Sequence, residues 1–192
     1  TSPAWTAESD QDGARFGASV ASAGDVNGDG YADVIVGAYN FDNGQTDEGR
    51  AYLYLGSASG LATSPAWTAE SDQTFANFGN SVPPAGDVNG DGYADVIVGA
   101  FSYSNGQSAE GRAYLYLGSF GGLFSAADWT AESNQAVADF GFSVATAGDV
   151  NGDGYSDVIV GAYNFDNGQT DEGRAFLYLG SASGLATSPP WT

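Results

Sequence analysis

The sequence predicts an all-β fold, a β-propeller built of four-stranded antiparallel blades, with three blades in the chain. Each repeat holds short apolar segments separated by glycine-rich or polar turns, which is typical of antiparallel strands. No stretch shows the sustained 3.6-residue period of an amphipathic helix. The chain repeats every 62 residues, a spacing marked by Trp5, Trp67, Trp129 and Trp191.

The repeat leaves the same short segment at both ends of the chain. "TSPAWT" opens the sequence and "TSPPWT" closes it, so strands are predicted at 1–8 and 187–192 in the same phase of the repeat. The three repeats run over 5–66, 67–128 and 129–190.

The first and third repeats are nearly identical over one long stretch. Residues 38–65 and 162–189 differ only where Tyr52 is replaced by Phe176. This identity indicates a recent duplication or a deliberate construction, and the sequence favours neither.

Four strands are predicted in each repeat, and the first repeat illustrates them in order. Residues 16–23 form the first strand, and the continuous apolar run "DVIVGA" at 33–38 suits a strand buried on both faces. The third, at 50–56, alternates aliphatic residues with tyrosines and therefore packs on both sides. The fourth, "SPAWTAES" at 64–71, carries a proline and charges that suit an exposed edge.

The charge balance excludes several classes of function. The chain has 24 acidic residues against 4 basic ones, a formal net charge of −20, which repels nucleic acids and anionic membranes. It has no histidine and no cysteine, and therefore lacks the usual zinc ligands, the thiol nucleophile and the usual general base. No apolar run reaches the roughly 18 residues of a membrane span. We expect neither a nucleic-acid partner nor membrane insertion.

Catalysis would have to rely on paired carboxylates, as in glycosidases. The adjacent Asp47 and Glu48 would point apart on an extended segment, and Ala109 breaks the pair in the middle repeat. We therefore expect the protein not to be an enzyme.

The run "DVNGDGYAD" places oxygen ligands at the spacing of a calcium loop. With Asp25 as position 1, side-chain oxygens fall at positions 3, 5 and 9, a glycine at position 6 permits a sharp turn, and position 7 offers its carbonyl. An EF-hand would need a glutamate at position 12, where this chain has Val36 followed by a predicted strand. The alternative is an Asx-rich turn without metal, although three carboxylates in nine residues repel one another when no cation balances them.

Three calcium ions per chain are predicted, one in each loop, with a structural role. The proposed ligands are Asp25, Asn27, Asp29, Tyr31 and Asp33; Asp87, Asn89, Asp91, Tyr93 and Asp95; and Asp149, Asn151, Asp153, Tyr155 and Asp157.

Further landmarks complete a resemblance to a known family. "FG" at 16–17, the calcium run, "GA" at 37–38 and the following "GRAYLYLG" resemble the FG-GAP repeat of the integrin α-subunit propeller and of many bacterial extracellular proteins. The proline that ends the family motif is replaced by Tyr39, Phe101 or Tyr163. The resemblance implies a calcium-binding scaffold for protein binding or cell adhesion, located outside the cell or at its surface. A carbohydrate-binding, lectin-like propeller and a duplicated or engineered blade array without a ligand remain alternatives.

The face opposite the calcium loops is where a protein or glycan ligand is expected. The loops between the second and third strands are rich in aromatic and amide side chains that suit stacking and hydrogen bonding, and the resemblance places ligand binding on this side. The same residues could instead only order a long loop. The candidates are Tyr39, Phe41, Asn43, Gln45, Phe101, Tyr103, Asn105, Gln107, Tyr163, Phe165, Asn167 and Gln169.

The basic and indole side chains have predicted structural roles. Arg50, Arg112 and Arg174 recur with the repeat, and we expect them to pair with neighbouring carboxylates rather than to bind anions. Arg15 does not recur. The tryptophans are expected to pack between blades rather than to form carbohydrate platforms.

Three blades cannot close a propeller ring, because about four are the minimum. Two chains related by a twofold axis would supply six blades, so a homodimer is expected. Pro190 replaces an alanine found in the other copies and removes a backbone donor. We therefore expect the N-terminal segment of one chain, rather than the C-terminal segment of the other, to fill the outer strand at each junction.

Overall fold

The computed structural model describes residues 1–189, in which every regular element is a β-strand. The strands pair antiparallel into three sheets that follow one another along the chain as the three blades. The all-β prediction and the three blades are confirmed. Within these residues there is no helix of the length and apolarity needed to cross a bilayer.

The first blade contains the four predicted strands, hydrogen-bonded in chain order. The apolar run of β2 matches its predicted bounds, because its side chains are buried on both faces of the sheet. The other three strands are shorter than predicted or shifted by a few residues. The strands are β1 (Ser19–Gly24), β2 (Asp33–Ala38), β3 (Arg50–Tyr54) and β4 (Trp67–Glu70).

The second blade has the same order, but its first strand is divided in two. Pro83 and Pro84 stand where the first blade has Ala21 and Ser22, and proline cannot donate to the ladder. The interruption is tolerated because this strand is the edge of its sheet. The strands are β5 (Phe78–Ser81), β6 (Pro84–Gly86), β7 (Asp95–Ala100), β8 (Arg112–Tyr116) and β9 (Trp129–Glu132).

The third blade has three strands among the described residues, in the order β10-β11-β12. The fourth strand, predicted at 187–192, falls at Trp191 by its repeat position, and 190–192 lie outside the described residues together with Pro190. The strands are β10 (Phe140–Gly148), β11 (Asp157–Ala162) and β12 (Arg174–Tyr178).

The predicted strand at 1–8 is corrected by the structure, in which these residues form no strand. A strand needs a neighbouring strand to satisfy its backbone groups, and no described segment of the chain pairs with this one. Trp5 nevertheless occupies a defined position: its indole Nε1 donates to Ala62 O at 2.9 Å, and its ring packs edge-to-face on Tyr54.

The outer-strand tryptophans hold neighbouring blades together, as predicted. Trp67 of the first blade packs edge-to-face on Tyr116 of the second at 4.8 Å between ring centres, and its Nε1 donates to Phe124 O at 2.9 Å. Trp129 repeats both contacts on the third blade, with Tyr178 and Ala186 O. Each indole therefore buries its ring and satisfies its only donor across a blade junction.

Between the outer strands and the ring axis, blades approach so closely that only glycine fits. A Cβ on Gly37 would lie 1.9 Å from Gly79 O, and one on Gly99 would lie 2.0 Å from Gly141 O. The "FG" and "GA" glycines of successive repeats therefore face each other across the junction, which accounts for their recurrence in every repeat.

Replacing Trp67 by alanine should lower the free energy of unfolding by about 3–5 kcal/mol, because a large buried ring and its inter-blade contacts are lost. Denaturant titration followed by circular dichroism measures the change. Phe120→Ala is the matched control: this ring is 87% exposed, so less than about 0.5 kcal/mol is expected. Equal effects of the two substitutions would contradict the packing role of the tryptophan.

Candidate metal centre

The loop between β1 and β2 winds its backbone around the side-chain oxygens of the predicted ligands. The carboxylate of Asp25 accepts hydrogen bonds from Asp29 N at 3.1 Å and Gly30 N at 2.8 Å. Asp29 Oδ1 in turn accepts from Tyr31 N at 2.9 Å. The first, third and fifth side chains of the loop therefore point inward, and Gly30 adopts the positive φ of 88° that this turn requires.

Asn27 completes this arrangement. Its Oδ1 accepts from Asp29 N at 3.1 Å, and its Nδ2 donates to Asp29 Oδ2 at the same distance. The same contacts recur in the other two loops, where the amide nitrogens of Asn89 and Asn151 donate to the aspartates two residues on. The three loops therefore have one geometry.

Asp33, the last predicted ligand of the loop, is fully buried at the start of β2. Its Oδ2 accepts from Val26 N at 2.9 Å and its Oδ1 accepts from Gly56 N at 2.8 Å. The carboxylate thus ties the beginning of the loop to the segment that follows β3, and Asp95 and Asp157 make the equivalent bonds.

This buried carboxylate sits in a strongly unfavourable electrostatic position. Burial raises the pKa of Asp33 above its ordinary value, and the hydrogen bonds from Gly56 and Val26 only partly oppose that rise. The negative charges of Asp29 and Asp25 raise it further. In the second blade the same causes raise the pKa of Asp95 to about 7. A cation among these groups would stabilise their ionised forms.

The donor set fits calcium. Each loop brings three carboxylates and one amide oxygen together, and the carbonyl of the tyrosine is directed by its own amide bond to the third ligand. Calcium prefers such hard oxygen donors, and every carboxylate oxygen that accepts one backbone hydrogen bond keeps a second lone pair. Glu, His and Cys contribute nothing to these loops.

The structure also brings together an acidic group that sequence reasoning missed. Carboxylate oxygens of Glu48, Glu70 and Asp72 lie within 4.8 Å of one another on the side of the blade opposite the calcium loops. Glu48 is fully buried and its Oε1 accepts from Asn43 N at 2.6 Å, so it staples the loop between β2 and β3. The middle repeat has Asn134 in place of Asp72, so the group of three is not repeated.

The repeated arginines pair with carboxylates, as predicted. Arg50 forms an ion pair with Glu70 of β4, and Arg112 forms the same pair with Glu132 of β9. The guanidinium of each also lies over an aromatic ring of the preceding loop, at 4.1 Å from the centres of Phe41 and Tyr103.

These contacts divide the twelve candidate ligand-binding residues. Phe41, Tyr103 and Phe165 lie against the repeated arginines and order their own loops. Asn43 donates to Glu70 at 2.9 Å and Asn105 donates to Glu132 at 3.1 Å, while Asn167 and Gln169 are exposed. For most of the set, the role of ordering a loop is the one that the contacts support.

The remaining aromatic candidates form a shared rim near the inner edges of the blades. Tyr39 and Phe101 line a cavity of 330 Å³ together with Ala18, Asn80 and Phe142. Tyr163 packs on Phe142 at 4.5 Å between ring centres, and both rings are about half exposed. Sequence reasoning missed Asn80 and Phe142 because that position differs in every repeat, so the period gave no signal.

Comparison with known proteins agrees with the repeat landmarks. The model of the FG-GAP repeat matches the chain three times, at residues 16–54, 78–116 and 140–178. Each match begins at the phenylalanine of the "FG" pair and ends with the third strand of its blade.

The chain is also similar to integrin α subunits. It is 39% identical to integrin alpha-IIb of Mus musculus over 77% of the chain, 32% identical to integrin alpha-5 of Xenopus laevis over 91%, and 34% identical to integrin alpha-V of Gallus gallus over 90%. These matches cover 15%, 17% and 17% of the respective relatives, so the chain spans less than a fifth of their length.

Glu48→Ala should lower the free energy of unfolding by about 1–3 kcal/mol, because the amide of Asn43 loses its acceptor inside the protein. Glu48→Gln keeps an acceptor oxygen and should cost less. Urea titration of both variants measures the difference, and equal losses would contradict the staple.

The same residue predicts a pH dependence. Burial raises the pKa of Glu48 above its ordinary value of 4.5, so the folded chain binds this proton more tightly than the unfolded chain. The stability that protonation contributes is complete below 4.5 and is lost as the pH rises through the raised pKa. The stability of the parent chain relative to Glu48→Gln should therefore increase as the pH is lowered from neutrality, as measured by urea titrations in parallel. Parallel pH profiles would contradict this assignment.

Proposed function

Because the chain belongs to the FG-GAP repeat family, we propose that it is a calcium-stabilised propeller scaffold for protein binding or cell adhesion outside the cell. The observation that carries the calcium assignment is the loop geometry: three times, the same oxygen donors are turned inward by the backbone amides of their own loop. The family and the integrin relatives support the binding role.

The calcium is proposed to be structural. Asp33 connects its loop both to the start of the loop and to the segment after β3, so an ion held there would stabilise two connections of the blade at once. Three divalent ions would also lower the formal net charge from −20 to −14, which reduces self-repulsion. A dissociation constant in the range of about 10⁻⁶ to 10⁻³ M would match extracellular calcium.

The ligand is proposed to bind on the side opposite the calcium loops, at the aromatic rim around Tyr39, Phe101 and Tyr163. The rim combines exposed rings with the amide of Asn80, whose Nδ2 donates to Phe142 O while its Oδ1 is buried without a partner. A protein side chain or loop is the first candidate for this site.

A glycan is the second candidate, and the half-exposed rings of Phe142 and Tyr163 favour it because sugars stack on aromatic faces. A glycan array probed with the calcium-loaded chain and with Tyr163→Ala separates the two. Binding lost in the variant would assign a glycan site to the rim. Absence of any signal would exclude glycans of the array and leave protein binding or an array of blades without a ligand.

Removal of calcium should lower the melting temperature sharply, because the carboxylates of each loop then repel one another without a compensating ion. Thermal unfolding followed by circular dichroism in calcium and in EGTA measures the shift. An unchanged melting temperature in EGTA would refute the structural role.

Replacing Asp91 by alanine should reduce the calcium bound per chain from three ions to two, as measured by elemental analysis after dialysis. Asp42→Ser is the matched control. Asp42 accepts a hydrogen bond from Asp47 N, and Ser104 makes the equivalent bond in the middle repeat, so the substitution should leave three ions bound. Three ions bound to Asp91→Ala would refute the site.

A further inference from the structure

The two junctions within the chain follow one pattern. Ala94 N of the second blade donates to Asp25 O of the first at 3.0 Å, and Ser156 N of the third donates to Asp87 O of the second at 2.9 Å. Further along, Phe78 N donates to Glu48 O at 3.0 Å, and this bond too recurs one repeat later. The junction is therefore a fixed set of contacts that any two successive repeats can make.

The first and third blades each present one uncovered face of this kind. On the first blade Val20 is 64% exposed, whereas its equivalent Val82 is fully buried by the preceding blade. On the third blade Val150 is 53% exposed, whereas its equivalent Val26 is fully buried by the following blade. We call these the leading face, around Val20, and the trailing face, around Val150.

The glycine contact shows the same vacancy on the trailing face. Gly161 is the equivalent of Gly99, but a Cβ on Gly161 would have no neighbour closer than Ser143 O at 3.6 Å. At Gly99 the corresponding space is filled by Gly141 O of the next blade. On the leading face, Gly17 is the equivalent of Gly141, and it too has open space around it.

The outer-strand segment, residues 5–8, already occupies the place of a preceding blade. Its Trp5 packs on Tyr54 at 4.9 Å and 73°, which reproduces the contact of Trp67 with Tyr116 at 4.8 Å and 73°. The bond from Trp5 Nε1 to Ala62 O likewise matches that of Trp67. The segment is therefore held as the fourth strand of a blade whose other three strands are not beside it.

The third blade needs such a strand. Among residues 1–189 no strand pairs with the outer edge of β12. Arg174 lies over Phe165 like its equivalents, but the glutamate that pairs with Arg50 and Arg112 would be position 194 of the repeat. In the outer-strand segment, Glu8 is the equivalent of Glu70.

We propose that a second copy of this chain closes the ring, with the trailing face of each copy on the leading face of the other. Residues 5–8 of each copy then become the fourth strand of the other copy's third blade, and Glu8 pairs with Arg174 across the junction. Propellers have about four to eight blades, and six is the only multiple of three in that range. A twofold ring makes the same junction twice and leaves no blade face uncovered.

The segment at 187–192 competes for the same strand position, but it offers less. It holds only the first two of the four positions of β4, at Trp191 and Thr192, so it has no equivalent of Glu70. Residues 190–192 lie outside the described part of the chain. The outer-strand segment supplies all four positions and is already anchored by Trp5.

Light scattering of the calcium-loaded chain tests the closure. A mass of twice 19.5 kDa is expected, and either the mass of one chain or of more than two would overturn the six-bladed ring. Val20→Arg should give a folded single chain, since this side chain is exposed before association. Phe120→Arg, on a ring that is 87% exposed and away from both faces, is the matched control and should keep the doubled mass.

Gly161→Ala provides a second test that does not depend on charge. Within one chain the added methyl group has room, so the circular dichroism spectrum should be unchanged. In the ring it would meet the carbonyl of Gly17 from the other copy, so the mass should fall to that of one chain. A doubled mass for Gly161→Ala would overturn the proposed junction.

The ion pair between copies is tested by exchange of charges. Glu8→Arg and Arg174→Glu should each raise the dissociation constant of the dimer by about tenfold or more, because like charges then face each other. The double variant should restore affinity, and failure to do so would refute the assignment of residues 5–8 to the third blade. The readouts are mass and affinity, so they can fail while three calcium ions remain bound, and the calcium proposal can fail while the dimer forms.

Discussion

Each blade of this protein depends on the blade beside it. A four-stranded sheet with apolar residues on both faces cannot be stable in water alone, since burial of those faces is its main source of stability. Here the second blade is covered on both sides, and its strand β7 is buried along its whole length. The opposed glycines set how closely blades approach, and the outer tryptophans hold the wider ends together.

The calcium loops belong to the same system of junctions. The ring of Tyr93 lies so close to Gly28 that a Cβ there would be 2.7 Å from it, and Tyr155 meets Gly90 in the same way. Each loop therefore packs on the loop of the next blade. An ion that orders one loop would also order the surface against which its neighbour rests, so the metal and the blade packing stabilise the same structure.

The opposite side of the blades is ordered by different chemistry. Buried Glu48 holds the backbone of the loop between β2 and β3, and Arg50 joins that loop to β4 through Glu70 and the ring of Phe41. Because these groups engage one another, they are withdrawn from ligand binding. What remains open is the aromatic rim near the inner strands, where Phe101, Phe142 and Tyr163 gather from two blades. A scaffold role therefore requires only that the loops keep this rim in place.

The sequence by itself determined the all-β class, the three blades, the bounds of β2, the donor set of each calcium loop and the pairing role of the arginines. These features are local or repeat every 62 residues, so residue type and spacing carry them. Only the tertiary structure decided that Phe41 lies under Arg50, that Asp33 joins two connections of its blade, that Glu48, Glu70 and Asp72 meet, and that Phe142 completes the rim. It also decided that residues 1–8 form no strand in one chain, although their pattern is that of one. The physical reason is that burial and hydrogen-bond pairing depend on which segments meet in space, and those contacts join residues that are far apart along the chain.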